Sequence, residues 1–475
     1  MFRLKELTEA VGARALPGDP LLRVSGVSID SRTIKRGELF VAIKGSRFDG
    51  HNFIREAVKK GAAAIIGAVD SSRPTVGRKI PYIRVADTRR ALGDLARFHR
   101  QRFNIPVIAV TGSNGKTTTK DMLAWILSSR IRVLKNEGTQ NNDIGVPLTL
   151  LKLDKSCDAV VLELGTNHFG EIAYLSGIAR PNFAVITNIG PVHLENLRSL
   201  AGVYKEKTAL LKKLQPPRIA VLNADDSRLR KLKNNKRIIV ISYGTRNQSD
   251  FNAARIRLAP PFLQEGVGAG KERAGFIEFC VNPASGRPKP GQRIRLSAVG
   301  CYNVYNALAA VAVSRLLGWS YRSISRCLGT FVFSSGRLRL VKSKDIAFLD
   351  DSYNANPVSF EEALSALSRF RVKGRMILVM GDMLELGKSA KMFHRRLGSR
   401  IAGVCDAFIG VGNFSKFTAE EARKSGMDKD RIFTCENSAQ ARDLLFGTLK
   451  PFQGDLILVK GSRLMKMELV LRFKR

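Results

Sequence analysis

The stretch "VTGSNGKTTTKDM", Val110 to Met122, decides how this chain is read. An apolar run, "IPVIAV" from Ile105, leads into it, and a helical pattern leads out. Gly112 and Gly115 permit a tight turn whose backbone N–H groups face a single point, and a helix starting near Lys116 adds its positive end. A strand–loop–helix unit of this kind is expected to hold phosphate. Gly112, Ser113, Asn114, Gly115 and Thr118 form the cradle, Lys116 reaches the terminal phosphates, and the Thr117 hydroxyl coordinates Mg²⁺. The spacing is GxxGKT, shorter than the usual GxxxxGK[ST]. The competing reading, a helix N-terminus with an incidental lysine, leaves the apolar strand before it unexplained.

Outward from this loop the chain alternates. "DAVVLEL" from Asp158, "FAVITNI" from Phe183 and "RIAVLNA" from Arg218 are apolar runs that end in polar residues, with helical patterns between them. That is the pattern of a parallel sheet flanked by helices, in which ligands gather at the carboxyl ends of strands. Thr111, Glu163, Asn188 and Asn223 fall at those ends and are expected to share a site. Residues 251–295 break the rhythm with short segments such as "GFIEFCV" and the turn-rich "NPASGRPKPG", which reads as a β-rich insertion with a mobile loop. "NVYNALAAVAVSRLLG" from Asn303 is a helix, and "SSGRLRLV" from Ser334 reads as a hinge. Beyond it "DIAFLDD", "MILVMGD", "AFIGVG" and "DLILVKG" are four strand-like runs of a second α/β sheet. Before the loop, "GELFVAI", "NFIREAVKKGA" and "AAAIIGA" read as a small strand–helix–strand unit. The expected fold class is α/β in three domains: a small mixed α/β unit over residues 1–84, a central P-loop parallel-sheet domain with its β-rich insertion over 85–333, and a Rossmann-like α/β domain over 334–475.

Composition narrows the class of protein. The 475 residues are 44% hydrophobic and 25% charged, as in soluble globular proteins. No apolar run approaches the roughly 18 residues of a membrane span. "MFRLKELTEA" has no secretory signal pattern, so a cytoplasmic protein is expected, and a monomer. The six cysteines form no CxxC pair, so neither zinc nor redox chemistry is signalled. The net charge of +38 is spread along the chain: +8 over residues 1–84, +20 over 85–333 and +10 over 334–475. A reader of nucleic acid concentrates such charge in an arm or stripe. An even excess suits anionic ligands in general, so no specific nucleic-acid partner is expected.

Three further residues stand out. Glu163 ends a buried strand, His193 follows another in "TNIGPVH", and Lys207 lies on the helix "AGVYKEKTALL". A carboxylate and a neutral imidazole can hold a divalent ion between phosphate and a second substrate. Each also has a plain reading: a helix-capping acid, a satisfied loop histidine, a solvated lysine.

The motifs "TGSNGKTTTKDM", "LELGTNHFGEIAYL", "TNIGPVHLE", "YNVYNALAA", "DDSYNANPVS", "GDMLELG" and "KGSR" occur in this order. With "DSRTIKRGELFVAIKGSRFDGHNF" near the start, they make nearly the whole chain resemble the Mur ligases, the ATP-dependent amide ligases of peptidoglycan precursor synthesis. The resemblance is closest to the branch that joins D-alanyl-D-alanine to a UDP-N-acetylmuramoyl-tripeptide. It implies that Lys116 and Thr117 bind ATP phosphate and Mg²⁺, and that Glu163 and His193 bind a second Mg²⁺. Lys207 matches the lysine that related ligases carbamoylate to support that metal. Asn303 and Asn306 match adenine-side asparagines, and Arg337 and Asp351 match nucleotide contacts from the C-terminal domain. Ser31, Arg32 and Lys44 fall where UDP-sugar contacts are expected, Asn141 and Asn142 where the sugar-peptide lies, and Tyr353, Asn354 and Asn356 near the incoming dipeptide. The sequence departs from the family pattern at Tyr302, where a histidine is usual, and at Ala209, where an acid is usual.

The implied chemistry passes the ATP γ-phosphoryl to a carboxylate, and the amine of the dipeptide then displaces phosphate. An acyl phosphate must be kept from water, so the C-terminal domain is expected to close about "SSGR" once ATP and UDP-sugar are bound. Two alternatives stay open: another amide ligase of the superfamily, of the diaminopimelate-adding or folylpolyglutamate type, and a P-loop NTPase driven by nucleic acid.

Overall fold

The computed structural model describes residues 1–13, 15–16, 18–45, 48–68, 80–259, 275–283, 291–343 and 346–472. Most of the expected loop "NPASGRPKPG" lies outside them. The described residues form three main sheets, in chain order of five, nine and six strands.

The central sheet is ordered by the apolar runs read above. Val107–Thr111 and Ala159–Glu163 are buried along their whole length, as strands covered by helices on both faces must be. From one edge the order is Val133–Lys135, Ala159–Glu163, Val107–Thr111, Phe183–Ile186, Ile219–Asn223, Ile239–Gly244 and Phe251–Ala259, all paired in parallel. Phe276–Pro283 and Gln292–Leu296 then extend it antiparallel. The segment expected to be an insertion is thus a continuation of the same sheet. Parallel pairing brings the carboxyl ends of the central strands to one edge, where Glu163, Thr187, Asn188 and Asn223 emerge. The helix Lys116–Leu127 follows its strand directly and packs under the buried helix Tyr302–Leu316.

The N-terminal sheet, from Ala15–Leu16 through Tyr82–Val85, Ala64–Ala68 and Leu39–Val41 to Val27–Ser28, is parallel except at its first strand. It does not stand apart. One apolar core runs from Phe2, Leu39 and Ile83 through Leu92 and Leu95 of the helix Thr88–Arg100 to Val107 and Leu162 of the central sheet. The C-terminal sheet has the order Arg339–Ser343, Ile346–Asp351, Leu456–Lys460, Met376–Gly381, Ala407–Val411, Ile432–Cys435, with its first strand antiparallel. It builds cores of its own on both faces. The "SSGR" segment crosses from the helix Tyr321–Gly329 to Arg339–Ser343, with Gly336 and Leu338 both at positive φ. Among the described residues no helix is long and apolar enough to cross a membrane.

Candidate functional site

The phosphate-type loop sits where the central strands end. Gly112 and Gly115 have φ of 145° and 81°. A Cβ at Gly112 would strike the Thr187 hydroxyl, and one at Gly115 would strike Asn306 Oδ1, so both positions require glycine on two counts. The loop is pinned by its neighbours rather than by itself. Asn114 N donates to Asn188 Oδ1 at 2.9 Å, Thr187 Oγ1 donates to Asn114 O at 2.5 Å, and Gly190 N donates to Ser113 Oγ at 2.8 Å. Lys116 Nζ folds back onto the carbonyls of Gly112 and Ser113 at 3.0 and 3.2 Å. Burial lowers its pKa; Glu163 opposes the shift and Arg337 adds to it.

Glu163 is 3% exposed and accepts on both oxygens: from Thr117 Oγ1 at 2.7 Å and from Asn141 Nδ2 at 2.7 Å. Asn136 holds its backbone, donating to Glu163 O at 3.0 Å and accepting from Glu163 N at 2.8 Å. Lys207 lies close by, 1% exposed, with no hydrogen bond or ion pair to the described residues. Burial pushes its pKa well down and Lys116 adds to this, while Glu206 and Glu163 oppose it. The Glu206 carboxylate is itself buried and takes the amides of Gly170 and Ile172 at 2.7 Å each.

The C-terminal domain closes the site from above. Arg337 Nη2 donates to Thr117 Oγ1 at 3.0 Å. Asn114 and Asn356 exchange amide bonds of 3.2 and 2.6 Å, while Asn356 also caps the helix Pro357–Leu367. His193 Nδ1 meets Glu385 Oε2 at 2.5 Å, and Glu195 N donates to Glu385 O at 3.2 Å. His193 and Glu385 both stand at positive φ, 52° and 63°. Hydrogen bonding to His193 lowers the Glu385 pKa against the raising effect of burial. Lys460, at the end of its strand, is buried on Asp351 Oδ2 at 2.5 Å and Asn354 O at 3.0 Å. Burial pushes both members of that pair toward their neutral forms, and their contact opposes it.

Between the two domains lies a cavity of about 630 Å³. Ser113 to Thr118, Asn141, Glu163, His193, Asn306, Arg337, Asp351, Tyr353, Asn354 and Asn356 all line it. Other candidate residues lie outside it. Gly112 shapes the loop from behind. Thr111 is fully buried and ties two strands through Leu164 O at 2.9 Å. Asn303 is buried behind Asn306, whose Nδ2 donates to Asn303 Oδ1 at 3.1 Å. Asn142 Oδ1 accepts from Gly145 N at 2.9 Å at the start of the helix Gly145–Leu150. Ser31 donates to Glu56 at 2.9 Å and Arg32 is paired with Asp30 at 2.7 Å, in the turn that follows the strand Val27–Ser28 of the N-terminal sheet. Lys44 is nearer: Arg89 bonds its carbonyl at 3.3 Å and Asp143 at 3.0 Å, joining the N-terminal unit to the Asn141–Asn142 turn.

The structure adds residues that no motif assignment named. Asp225 accepts from the amides of Thr245 and Asn247 at 2.7 and 2.8 Å and from the Tyr305 hydroxyl at 2.9 Å. Burial would raise its pKa, yet those amides and side chains hold it down at about 2. Lys460 and Arg463 sit in the quoted "KGSR", and Glu385 in "GDMLELG"; the motifs were legible, their individual roles were not.

A nucleotide-type loop, a buried carboxylate and loops of the C-terminal domain line one cavity, an arrangement suited to an ATP-dependent ligase, and the comparisons with known proteins agree. Models described as "Mur ligase family, catalytic domain", "Mur ligase middle domain" and "Mur ligase, glutamate ligase domain" match residues 23–100, 110–314 and 336–463. The chain belongs to the Mur ligase family. It is 34% identical to the UDP-N-acetylmuramoyl-tripeptide–D-alanyl-D-alanine ligase of Bacillus subtilis (strain 168), over 99% of this chain and 97% of that one. It is 35% identical to the enzyme of the same name from Escherichia coli (strain K12), with the same coverage. Among solved structures it superposes on MurF from Acinetobacter baumannii with a TM-score of 0.86 at 33% identity, covering 99% and 98% of the two chains. For MurF ligase from Thermotoga maritima in complex with ADP the values are 0.79 and 29%, over 96% and 97%. A diaminopimelate ligase and a folylpolyglutamate synthase share the fold at 18% and 16% identity.

Proposed function

We propose that this chain joins D-alanyl-D-alanine to UDP-N-acetylmuramoyl-tripeptide at the cost of ATP, giving the pentapeptide, ADP and phosphate for peptidoglycan synthesis in the cytoplasm. The observation that carries this reading is convergence. The phosphate loop, Glu163 and two loops of the C-terminal domain line one cavity within a single chain, so a monomer suffices. The full-length relatives at 34% and 35% identity bear the name of this reaction, whereas the two competing amide ligases share only the fold.

In this reading residues 85–333 bind ATP, residues 1–84 hold the UDP-sugar through Ser31, Arg32 and Lys44, and residues 334–475 bring the dipeptide. Asn303 and Asn306 face the adenine side, Arg337 and Asp351 reach the nucleotide, and Asn141 and Asn142 flank the tripeptide. Tyr353, Asn354 and Asn356 shape the dipeptide side. The tripeptide carboxylate attacks the γ-phosphorus, forming an acyl phosphate and releasing ADP. The dipeptide amine then adds to the acyl carbon and phosphate leaves. Both reacting groups of the first step are anionic, so charge neutralisation and positioning dominate the catalysis. The loop amides supply part of it. Lys116 supplies more by exchanging the carbonyls of Gly112 and Ser113 for phosphate oxygen.

The residues present fit Mg²⁺. Thr117 Oγ1 and Glu163 Oε2 are hard oxygen donors 2.7 Å apart. Among the described residues no group of three His, Cys, Asp or Glu side chains forms a metal cage. Mg²⁺ commonly binds through one or two protein oxygens, completed by water and phosphate. Thr117 and Glu163 would hold one ion; Glu163, His193 and a carbamoylated Lys207 would hold a second. Bound there, Mg²⁺ spreads the charge of the phosphates. Lys207 is suited to carbamoylation because burial favours its neutral amine, the form that adds CO₂. Mass spectrometry of the product tests the proposal: ATP, D-alanyl-D-alanine and a UDP-tripeptide should yield UDP-pentapeptide. ADP release that depends on diaminopimelate, on glutamate or on nucleic acid instead would overturn it.

A further inference from the structure

The reaction demands one contact not yet assigned. D-alanyl-D-alanine is a zwitterion. Its amine must reach the acyl carbon beside Thr117 and Lys116, which leaves its carboxylate about 7 Å away in an extended dipeptide. A carboxylate held in the cavity is bound most strongly by a cation that hydrogen-bonds to it.

The cations lining the cavity are Lys116, Arg246, Arg337, Lys460 and Arg463. Lys116 belongs to the phosphate loop. Arg337 is bonded to Thr117. Lys460 is buried on Asp351 and Asn354. Arg246 stands at the other end, where the cavity shares Tyr302, Tyr305 and Glu362 with a smaller one of about 180 Å³. Arg463 remains. It follows the strand Leu456–Lys460, and its guanidinium gives one donor to Glu468 at 3.1 Å, leaving the rest of its fork free.

It also shares a neighbour with the cation at the phosphate loop. Arg337, bonded to Thr117 at 3.0 Å, lies 3.8 Å from the centre of the Tyr353 ring. Arg463 lies 6.0 Å from the centre of the same ring. The Tyr353 ring therefore has both guanidinium groups beside it, that of Arg337 bonded at the phosphate loop and that of Arg463. Leu464, 77% exposed at the cavity, offers an apolar contact beside Arg463 for a methyl side chain.

We propose that Arg463 is the specificity-determining residue that binds the terminal carboxylate of the acceptor dipeptide, with Tyr353 as the wall along which the dipeptide lies. The assignment rests on the reading that this chain transfers D-alanyl-D-alanine. The test compares that dipeptide with its C-terminal amide as acceptors for the full-length enzyme. A charged hydrogen-bonded pair is worth roughly a 10- to 100-fold change. Wild type should show a KM for the amide higher by that factor. Arg463→Gln should raise the KM for D-alanyl-D-alanine by the same factor, leave the KM for ATP and UDP-tripeptide unchanged, and lose the preference for the free acid. Arg463→Lys should keep part of that preference. If Arg463→Gln folds and still prefers the acid as wild type does, the assignment is wrong. If Arg463→Gln does not fold, Arg463→Lys with an undiminished acid preference and an unchanged KM overturns it equally. If wild type makes no pentapeptide at all, the broader reading fails first, and the two failures are distinguishable.

Discussion

Lys207 makes a demanding test of the site because the expected effect of removing it is a more stable protein. The side chain is 1% exposed and has no hydrogen-bond or ion-pair partner among the described residues. Burying a polar group without a partner costs about 1–3 kcal/mol. Methionine has nearly the same length and no charge, so Lys207→Met removes that cost without opening a cavity. For a unit the size of the central domain each kcal/mol moves the melting point by about 2–4 °C, so the transition should rise by roughly 2–12 °C at neutral pH. The pH dependence gives a second handle. The folded pKa is depressed, so between that value and the ordinary 10.5 the unfolded chain binds the extra proton. Wild-type stability therefore rises with pH across this window, and the advantage of Lys207→Met shrinks as pH approaches 10.5. Scanning calorimetry of both proteins at pH 7, 9 and 10, in buffer stripped of CO₂, reads both effects. Ligase activity should be lost in the same variant, the trade of stability against function expected of a residue held for its chemistry. A variant that melts lower than wild type at pH 7, or whose difference does not close with rising pH, would mean that Glu206 or Glu163 already compensates the amine, and the case for a neutral, CO₂-reactive Lys207 would fall.

Glu385→Ala removes a carboxylate that is 44% exposed and bonded to His193 across the domain interface, worth about 1 kcal/mol after solvent screening. Small-angle scattering should show the open form gaining about fivefold in population, with kcat falling further than the KM for ATP. Asp225→Asn should weaken the hold on Tyr305 and the Thr245–Asn247 loop. Because the Asp225 pKa is depressed to about 2, its contribution is complete above the ordinary 3.8 and fades as pH falls toward 2, so the variant's stability deficit should vanish in acid melts. A double-mutant cycle on Asn114→Ala and Asn356→Ala, read in kcat, should return a coupling of about 0.5–1.5 kcal/mol, since each amide is the other's partner. Additivity would show that the pair is not made in the working enzyme.

The sequence was most informative where one physical constraint acted alone. Val107–Thr111 and Ala159–Glu163 are buried on both faces, so their runs of apolar residues can be little else than inner strands. The edge strands Val133–Lys135 and Ile432–Cys435 are half exposed, carry no alternation, and were not separable from loop. The three strands from Phe251 looked like an insertion because the sheet changes there: Phe251–Ala259 is parallel to its inner neighbour, and the two strands beyond it pair antiparallel at the edge. For the site, the glycines and lysine of the loop were legible together with the strand before it and the helix after it, both of which the structure contains. Side-chain environment was less accessible. Lys205 and Lys207 are two steps apart on one helix, yet Lys205 reaches the surface over the Phe169 ring at 6.0 Å while Lys207 is enclosed. His193 and its partner Glu385 are 192 residues apart and meet only through domain docking. No local pattern encodes such a pair.

The same docking explains why the site can work at all. The N-terminal and central sheets share one apolar core, and prising them apart would expose it. The C-terminal domain is held differently. Its own cores are complete, only a few partly buried apolar residues such as Leu194, Val299 and Tyr302 reach them from the central domain, and the contacts over the cavity are polar: Arg337 on Thr117, Asn356 on Asn114, Glu385 on His193. Each such bond is worth about 1 kcal/mol net, because water replaces it on opening. An interface of that kind closes firmly enough to exclude water from an acyl phosphate when substrates add their own contacts, and opens again when they are gone. A greasy interface would protect the intermediate equally well but would not release a product as large as a sugar-linked pentapeptide. The asymmetry between the two seams, one apolar and one polar, predicts that any opening of the site is made by the domain that carries Arg337, Glu385 and Arg463.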